Sequence, residues 1–314
     1  YQVINSKSRL ISSLLFYLKI FIISRNFDVV YTTTRKVSAY IGLLRFLAPL
    51  CFSFKWIVHE HMLANKATLI NYLYRALLSS CSHLIFTSKE CQLSYKFNPS
   101  ETFVIYGAEA AFEVPRTGPD DTYVCECLHA LQVLSTPGLQ NCNLVYVGRI
   151  SDDKGIYELI DLFTSCSNVH ILYPNVRFTL TIIGPSDVEN RNRIENLINN
   201  REDIAYIGYV ELSQRIYSYF DIGIVPSWST RESLGLTAIE IASFTGRALI
   251  ASASNSFDSL YKLEFVNKIN QHSSLFSQCL RLMKVNPGNL ENVKLIIGCK
   301  GIDALLASFA SRDD

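Results

Sequence analysis

Two carboxylates in one polar stretch could hold sugar hydroxyls. Glu232 and Glu240 are separated by seven residues, and a carboxylate can accept two hydrogen bonds from a vicinal diol. The backbone amides of Ser233, Leu234 and Gly235 lie between them, at the start of a predicted helix, where free N–H groups suit an anion. A nucleotide-sugar has this arrangement, because its diphosphate lies between the diol of the ribose and the diols of the sugar. The alternative is a glutamate at a helix entry and a solvated glutamate on an amphipathic helix, and the spacing taken alone favours that alternative.

The segments around these carboxylates predict a strand, a loop, a helix and a second strand. Residues 222–226 are too short for a buried helix and rich in β-branched side chains, which favours a buried parallel strand. A polar loop follows at 227–233, then a helical pattern that Gly246 ends, then a strand at 248–251. Ligands of such sheets bind at the carboxyl ends of the strands. We therefore expect Glu232 in a crevice loop and Glu240 on the helix behind it.

A pair of basic residues follows a second apolar run. Residues 144–147 predict a buried strand, and Gly148, Arg149 and Lys154 come directly after it. Arginine offers a planar fork of donors and lysine a mobile point charge. Cleavage of a nucleotide-sugar builds negative charge on the diphosphate, so two fixed cations could stabilise that charge without a metal ion. The alternative is an arginine and a lysine in a surface turn.

Composition excludes some classes of function. The chain has 314 residues and a net charge of +1, which gives no sign of nucleic-acid binding. Its nine cysteines are scattered, and we interpret them as reduced thiols in a cytoplasmic protein. Cys125, Cys127 and His129 form the one cluster with a metal-like spacing. It lacks a second ligand pair, so coincidence is favoured and no metal site is expected.

Alternating strand and helix patterns predict two parallel α/β domains. Before residue 112 the predicted strands are 28–32, 55–59, 82–88 and 103–106, with helices between them. A segment rich in proline and glycine, 112–143, marks a linker with a helical pattern at 123–134. The apolar helix predicted at 10–23 is too short to span a bilayer. A core helix is the favoured interpretation, and a membrane-surface helix is the alternative.

The stretch from Pro226 onwards resembles the signature of retaining GT-B glycosyltransferases, the large group 1 family that includes capsule and lipopolysaccharide transferases. The matching residues are Pro226, Ser227, Glu232, Gly235, Glu240 and Gly246. The resemblance implies two doubly wound Rossmann-like domains that face a cleft. It places an acceptor-side domain at 1–113, a linker at 114–143 and a nucleotide-sugar domain at 144–314, whose last helix returns to the first domain. The first strands of the family are missing, so we expect an N-terminally truncated chain.

The family's residue roles transfer to matching positions. Arg149 and Lys154 would hold the diphosphate, Glu232 the hydroxyls of the donor sugar and Glu240 the ribose diol. The amides of 233–235 would contact phosphate or sugar. The remaining positions expected at the donor are Gly148, Gly184, Tyr209 and Val210. His59, at the end of a first-domain strand, would approach the transferring centre, with His61 as the second choice and a structural histidine as the alternative for either.

The resemblance implies a retaining, metal-independent hexosyltransferase. It would move a sugar from a UDP- or GDP-sugar to a glycan or lipid-linked acceptor in surface polysaccharide biosynthesis, with no other cofactor. We expect a cytoplasmic protein that could touch the inner face of the membrane. Two alternatives stay open: a truncated, inactive remnant that still binds the nucleotide, and a GT-B nucleotide-sugar epimerase, which the Glu232–Glu240 pair disfavours.

Overall fold

The computed structural model describes most of the chain between residues 19 and 293. The described residues are 19–20, 22–24, 26–47, 54–61, 69–87, 89–95, 102–104, 113–133, 138–165, 172–199, 201–227, 235–251, 260–269, 275–291 and 293. The chain divides into two compact units, one formed mainly by residues up to Tyr106 and the other by Gly107–Cys299. The last helix of the second domain, which the resemblance predicts to return to the first domain, lies outside the described residues.

The first unit contains a parallel sheet of four strands. Its elements are β1 Val29–Thr32, α1 Arg35–Leu47, β2 Lys55–Glu60, α2 Leu69–Leu78, β3 His83–Phe86, α3 Lys89–Tyr95 and β4 Thr102–Val104. The strands follow one another across the sheet in chain order, β1-β2-β3-β4. Trp56 and Val58 of β2 lie fully buried with Ile41 of α1 and Leu78 of α2 in one apolar cluster. Strand alternation therefore turns Ile57 and His59 to the opposite face.

The second unit contains a parallel sheet of six strands. Its elements are α4 Asp121–Val133, β5 Gln140–Val147, α5 Ile156–Ser165, β6 Val176–Ile183, α6 Val188–Ile198, β7 Ile204–Gly208, α7 Gln214–Tyr217, β8 Ile222–Val225, α8 Leu236–Phe244, β9 Ala248–Ile250, β10 Val266–Lys268 and α9 Leu275–Met283. Short 3-10 turns span Asp152–Lys154 and Leu260–Lys262. The strand order is β10-β9-β8-β5-β6-β7.

The strand order of the second sheet reverses between β5 and β8. From β5 the chain proceeds outwards through β6 and β7, then returns to the other side of β5 for β8, β9 and β10. Loops on either side of such a reversal diverge and leave a crevice at the carboxyl ends of the strands. The predicted α/β class with two parallel sheets is confirmed.

The segment predicted as a linker includes a helix of the second unit. Helix α4 buries Val124 and Leu128 against Val145 of β5 and Ile183 of β6. No described helix is long and apolar enough to cross a membrane. Within the described part of the chain, no group of three or more histidine, cysteine or acidic side chains could hold a metal ion. The side chain of His129 is outside that part.

Candidate functional site

Four loops leave the second sheet at one level. The strand register pairs Tyr146 with Ile224 and Val147 with Ile183, and Ile183 with Gly208. The residues that follow β5, β6, β7 and β8 therefore share one edge, which we call the site edge. It carries five of the predicted positions in its loops: Gly148, Arg149, Gly184, Tyr209 and Val210.

Two glycines let the loops after β5 and β6 touch. A Cβ on Gly184 would lie 1.9 Å from the carbonyl oxygen of Gly148, a backbone atom that cannot move aside. The amide of Gly148 donates to Ile183 O at 2.9 Å, and the amide of Gly184 donates to Gly208 O at 2.8 Å. Gly148 and Gly184 therefore continue the hydrogen bonding of the sheet beyond the ends of β5 and β6.

Arg149 projects from the site edge on a fixed backbone. The hydroxyl of Tyr146 donates to the carbonyl of Arg149 at 2.8 Å. The Arg149 side chain is 63% exposed and forms an ion pair with Asp153 at 3.3 Å. A hydrogen bond from Ser151 and the charge of Arg149 hold the pKa of Asp153 below its usual range. Exposed ion pairs contribute little, so Arg149 can exchange Asp153 for an anionic ligand at small cost.

A pocket of about 470 Å³ opens beside Arg149, between the loops after β5 and β6. Six of its eight lining residues are polar or charged. The lining residues are Arg149, Ile150, Ser151, Asp153, Pro185, Ser186, Asp187 and Asn190. Lys154, the second predicted cation, is half-buried in the adjoining 3-10 turn and is not part of this wall. Of the predicted site residues, the pocket contains Arg149.

Gly235 shapes the start of α8. It adopts φ 64° and ψ 63°, the left-handed conformation that glycine tolerates. Its carbonyl accepts from the amides of Ala238 at 2.8 Å and Ile239 at 3.2 Å, which begins the helix. Glu232, Ser233 and Leu234 lie outside the described residues, so their predicted roles stay predictions.

Glu240 is held by a tyrosine that the sequence analysis missed. It is half-buried on α8, and the buried hydroxyl of Tyr217, on α7, donates to its Oε1. Burial raises the pKa of Glu240, and the hydrogen bond from Tyr217 opposes that rise. Burial, together with the charge of Glu240, raises the pKa of Tyr217. Because Tyr217 donates to Oε1, the other carboxylate oxygen of Glu240, Oε2, is the one that can accept from a ligand.

The two residues after β7 face opposite ways. Tyr209 is 74% exposed, whereas the side chain of Val210 is buried in the apolar cluster that also holds Ile216 of α7. An aromatic ring on the site edge can stack on a planar ligand. Val210 can offer a ligand its backbone only.

In the first unit, three polar rings gather at the carboxyl ends of β1 and β2. The hydroxyl of Tyr31 is hydrogen-bonded to Nδ1 of His59, and the rings of His59 and His61 lie 4.1 Å apart. Burial, with a smaller effect from His61, lowers the pKa of His59 to about 4. His59 is therefore neutral at physiological pH. Its Nε2 is enclosed and has no hydrogen-bond partner within the described structure.

The opposite face of the same strand end holds a buried charge. Glu60, 2% exposed, accepts hydrogen bonds from the hydroxyls of Tyr74 and Tyr95. The guanidinium of Arg35 lies 3.8 Å from Glu60 and 4.9 Å from the centre of the Tyr74 ring. This cluster holds the carboxyl end of β2 on the face opposite His59, and so fixes the backbone that carries His59.

Comparison with known proteins supplies the fold family. The model of the family described as "Glycosyl transferases group 1" matches residues 141–284, just under half of the chain. No protein of curated function matches the chain by sequence. HepE (Alr3699) of Anabaena in complex with UDP matches with a TM-score of 0.68 at 16% identity, over 94% of this chain and 81% of that one.

Two further solved structures agree. A glycosyltransferase from Rickettsia africae has a TM-score of 0.67 at 16% identity, over 99% of this chain and 82% of its own. A sucrose-phosphate synthase from Thermosynechococcus elongatus has a TM-score of 0.62 at 18% identity, over 99% and 81%. This chain has the GT-B fold. HepE has also been crystallised with UDP-glucose.

The structure brings part of the predicted donor site together. Gly148, Arg149, Gly184 and Tyr209 share the site edge, and α8, which carries Glu240, follows β8 at the strand reversal. Tyr217 and Tyr31 are the positioning residues that sequence reasoning missed. Tyr31 had a usable signal, because it lies next to the carboxyl end of β1, the strand that pairs with the one carrying His59. The pairing of Tyr217 with Glu240 had none, because it depends on how α7 packs on α8.

Proposed function

We propose that this protein is a glycosyltransferase whose second unit binds a nucleotide-sugar along the site edge. The observation that carries the proposal is topological: the sheet reverses between β5 and β8, the exposed cation Arg149 follows β5, and helix α8 with the half-buried Glu240 follows β8. The match of 141–284 to the group 1 family covers this same region. HepE, which has a similar fold, binds UDP and UDP-glucose.

Each site residue has a separate task in holding the donor. Oε2 of Glu240 accepts from the ribose hydroxyls while Tyr217 occupies Oε1. Arg149 leaves Asp153 for the diphosphate, and Lys154 adds a second positive charge. Tyr209 flanks the base. Glu232 holds hydroxyls of the donor sugar, and the amides at the start of α8 contact phosphate or sugar.

The reaction breaks the bond between the anomeric carbon of the sugar and the diphosphate oxygen. A new bond forms between that carbon and an acceptor hydroxyl on the same face, so the configuration is retained. The proton of the acceptor hydroxyl passes to the departing diphosphate. Charge on the diphosphate grows as the bond breaks, and Arg149 and Lys154 stabilise that charge most in the transition state. The two cations do this without a metal ion, and the donor needs no other cofactor.

The acceptor is a glycan or lipid-linked saccharide of a surface polysaccharide, used at the cytoplasmic side of the membrane. What supports this finer assignment is the resemblance of the stretch from Pro226 to Gly246 to the signature of capsule and lipopolysaccharide transferases. The group 1 model and the structural matches support the coarser statement of sugar transfer.

The test is release of nucleoside diphosphate. The chain is incubated with a panel of UDP- and GDP-sugars, with and without saccharide acceptors, and free UDP or GDP is measured. We expect slow release without acceptor, faster release with the right acceptor, and loss of both in Arg149→Gln. Asp153→Asn is the matched control, because it removes the partner of Arg149 but not the cation.

Three results would overturn this function. Binding of UDP or GDP with no release under any condition would indicate a remnant that binds the nucleotide. Interconversion of two nucleotide-sugars without release would indicate an epimerase. No binding of any nucleotide would remove the donor site altogether.

A further inference from the structure

A tyrosine of β1 is hydrogen-bonded to the ring of His59. Tyr31 pairs with Ile57 of β2, and His59 is two residues further along β2 on the same face. The Tyr31 hydroxyl therefore reaches Nδ1 of His59 diagonally across the two strands, and the hydrogen bond is present. No other described side chain is hydrogen-bonded to this ring.

The chemistry of the two groups sets the direction of this bond. The phenol O–H is a stronger acid than a neutral imidazole N–H, and the unprotonated imidazole nitrogen is a stronger base than the phenol oxygen. The more stable arrangement has Tyr31 donating to Nδ1. The proton of the neutral ring is then on Nε2, because the bond made at one ring nitrogen decides the state of the other.

The surroundings keep the ring neutral. On β3 the residue opposite His59 is the apolar Ile85. Glu60, the adjacent carboxylate, turns to the other face of the strand, where Tyr74 and Tyr95 hold it. Among the residues that the structure describes, the other titratable groups beside the ring are Tyr31 and His61, and neither supplies a negative charge at neutral pH.

We propose that Tyr31 is a positioning residue that fixes His59 as a neutral hydrogen-bond donor through Nε2–H, directed at an oxygen atom of the acceptor. This inference rests on the proposed function for the identity of the substrate. His59 in this state cannot accept the acceptor's proton at Nε2. It orients an oxygen instead, and the enclosed, unpartnered Nε2 gains its first hydrogen bond when the substrate arrives.

The first test needs no activity. In the full chain with nitrogen-15-labelled histidine, NMR of the His59 ring distinguishes the two neutral tautomers. We expect the Nε2-protonated form alone between about pH 5 and 8, and a mixture of tautomers in Tyr31→Phe. Tyr72→Phe is the matched control, because Tyr72 is 71% exposed on α2 and should leave the His59 signals unchanged. Protonation at Nδ1 in the wild type would overturn the inference.

The second test uses turnover. Tyr31→Phe should lower kcat about 2- to 10-fold with little change in KM, the usual loss for one neutral hydrogen bond. In a His59→Ala background the same change should have no further effect, because Tyr31 acts through His59. Additive losses would contradict the inference. A correct tautomer in a protein without transferase activity would instead refute the proposed function and leave the Tyr31–His59 pair in place.

Discussion

Replacing Glu240 by glutamine should affect ligand binding and protein stability in opposite directions. Tyr217 donates to Oε1, which glutamine keeps as an acceptor, whereas Oε2 becomes an NH2 group that cannot accept from a ribose hydroxyl. The loss of one charge-assisted hydrogen bond is about 1.5–3 kcal/mol, so UDP or GDP affinity should fall roughly 10- to 150-fold. Calorimetric titration of the purified chain measures this change.

Glu240→Gln should not lower the stability of the ligand-free protein, although it lowers nucleotide affinity. Burial raises the pKa of Glu240 in the folded state, so the folded protein binds that proton more tightly than the unfolded chain. The ionised carboxylate therefore lowers stability as pH rises from the unfolded pKa to the raised folded pKa. Glu240→Gln removes this pH dependence, and we expect an equal or higher free energy of unfolding at pH 7 from urea denaturation.

Tyr217→Phe is the matched comparison. It keeps the carboxylate and removes its buried donor, so the free energy of unfolding should fall by about 1.5–3 kcal/mol. If Glu240→Gln lost stability in the same way and bound UDP and GDP like the wild type, Glu240 would be a structural partner of Tyr217 and not a ligand-binding group.

Three further predictions concern the rest of the site edge and its loop. UDP or GDP binding should be unchanged by EDTA, because Arg149 and Lys154 supply the positive charge; calorimetry showing a strict magnesium requirement would contradict this. Gly235→Ala should cost about 1–2 kcal/mol of stability, since its backbone is left-handed; an unchanged urea midpoint would show that α8 can begin differently. Glu232→Ala should lower turnover more than nucleotide affinity, because contacts to the reacting sugar tighten in the transition state; equal losses in kcat and affinity would argue against that role.

Local patterns predicted most of the second sheet. Glycines mark the carboxyl ends of three strands, since Gly148 and Gly184 follow β5 and β6, and Gly208 is the last residue of β7. The strand predicted at 222–226 is β8, Ile222–Val225. Helix α7 has four residues, too few for a periodic pattern, and after Tyr217 the chain turns so that Phe220 enters the core before β8. Strand β10 has three residues and one buried side chain, too little for any periodicity.

Features of the site that depend on packing could not be predicted in this way. The hydrogen bond between Tyr217 and Glu240 spans 23 residues, and that between Tyr31 and His59 spans 28. Neither distance corresponds to a helix or strand period. That Glu240 and His59 meet a ligand stays a prediction from the motif. The contact of Tyr31 became visible only with the register of β1 and β2, and that of Tyr217 only with the packing of α7 on α8.

The strand order of the second unit also bears on how the chain folds. Strand β5 pairs on one edge with β6, the next strand in the chain, and on the other edge with β8. The contact between the amide of Asn143 and the carboxylate of Asp221, just before β8, spans 78 residues. Closing the longer loop is slower, so we expect β8 and α8 to gain protection after β5 and β6 in pulsed hydrogen exchange. Until then the apolar edge of β5 is unpaired, and a nascent chain that pauses before residue 222 exposes a template for aggregation.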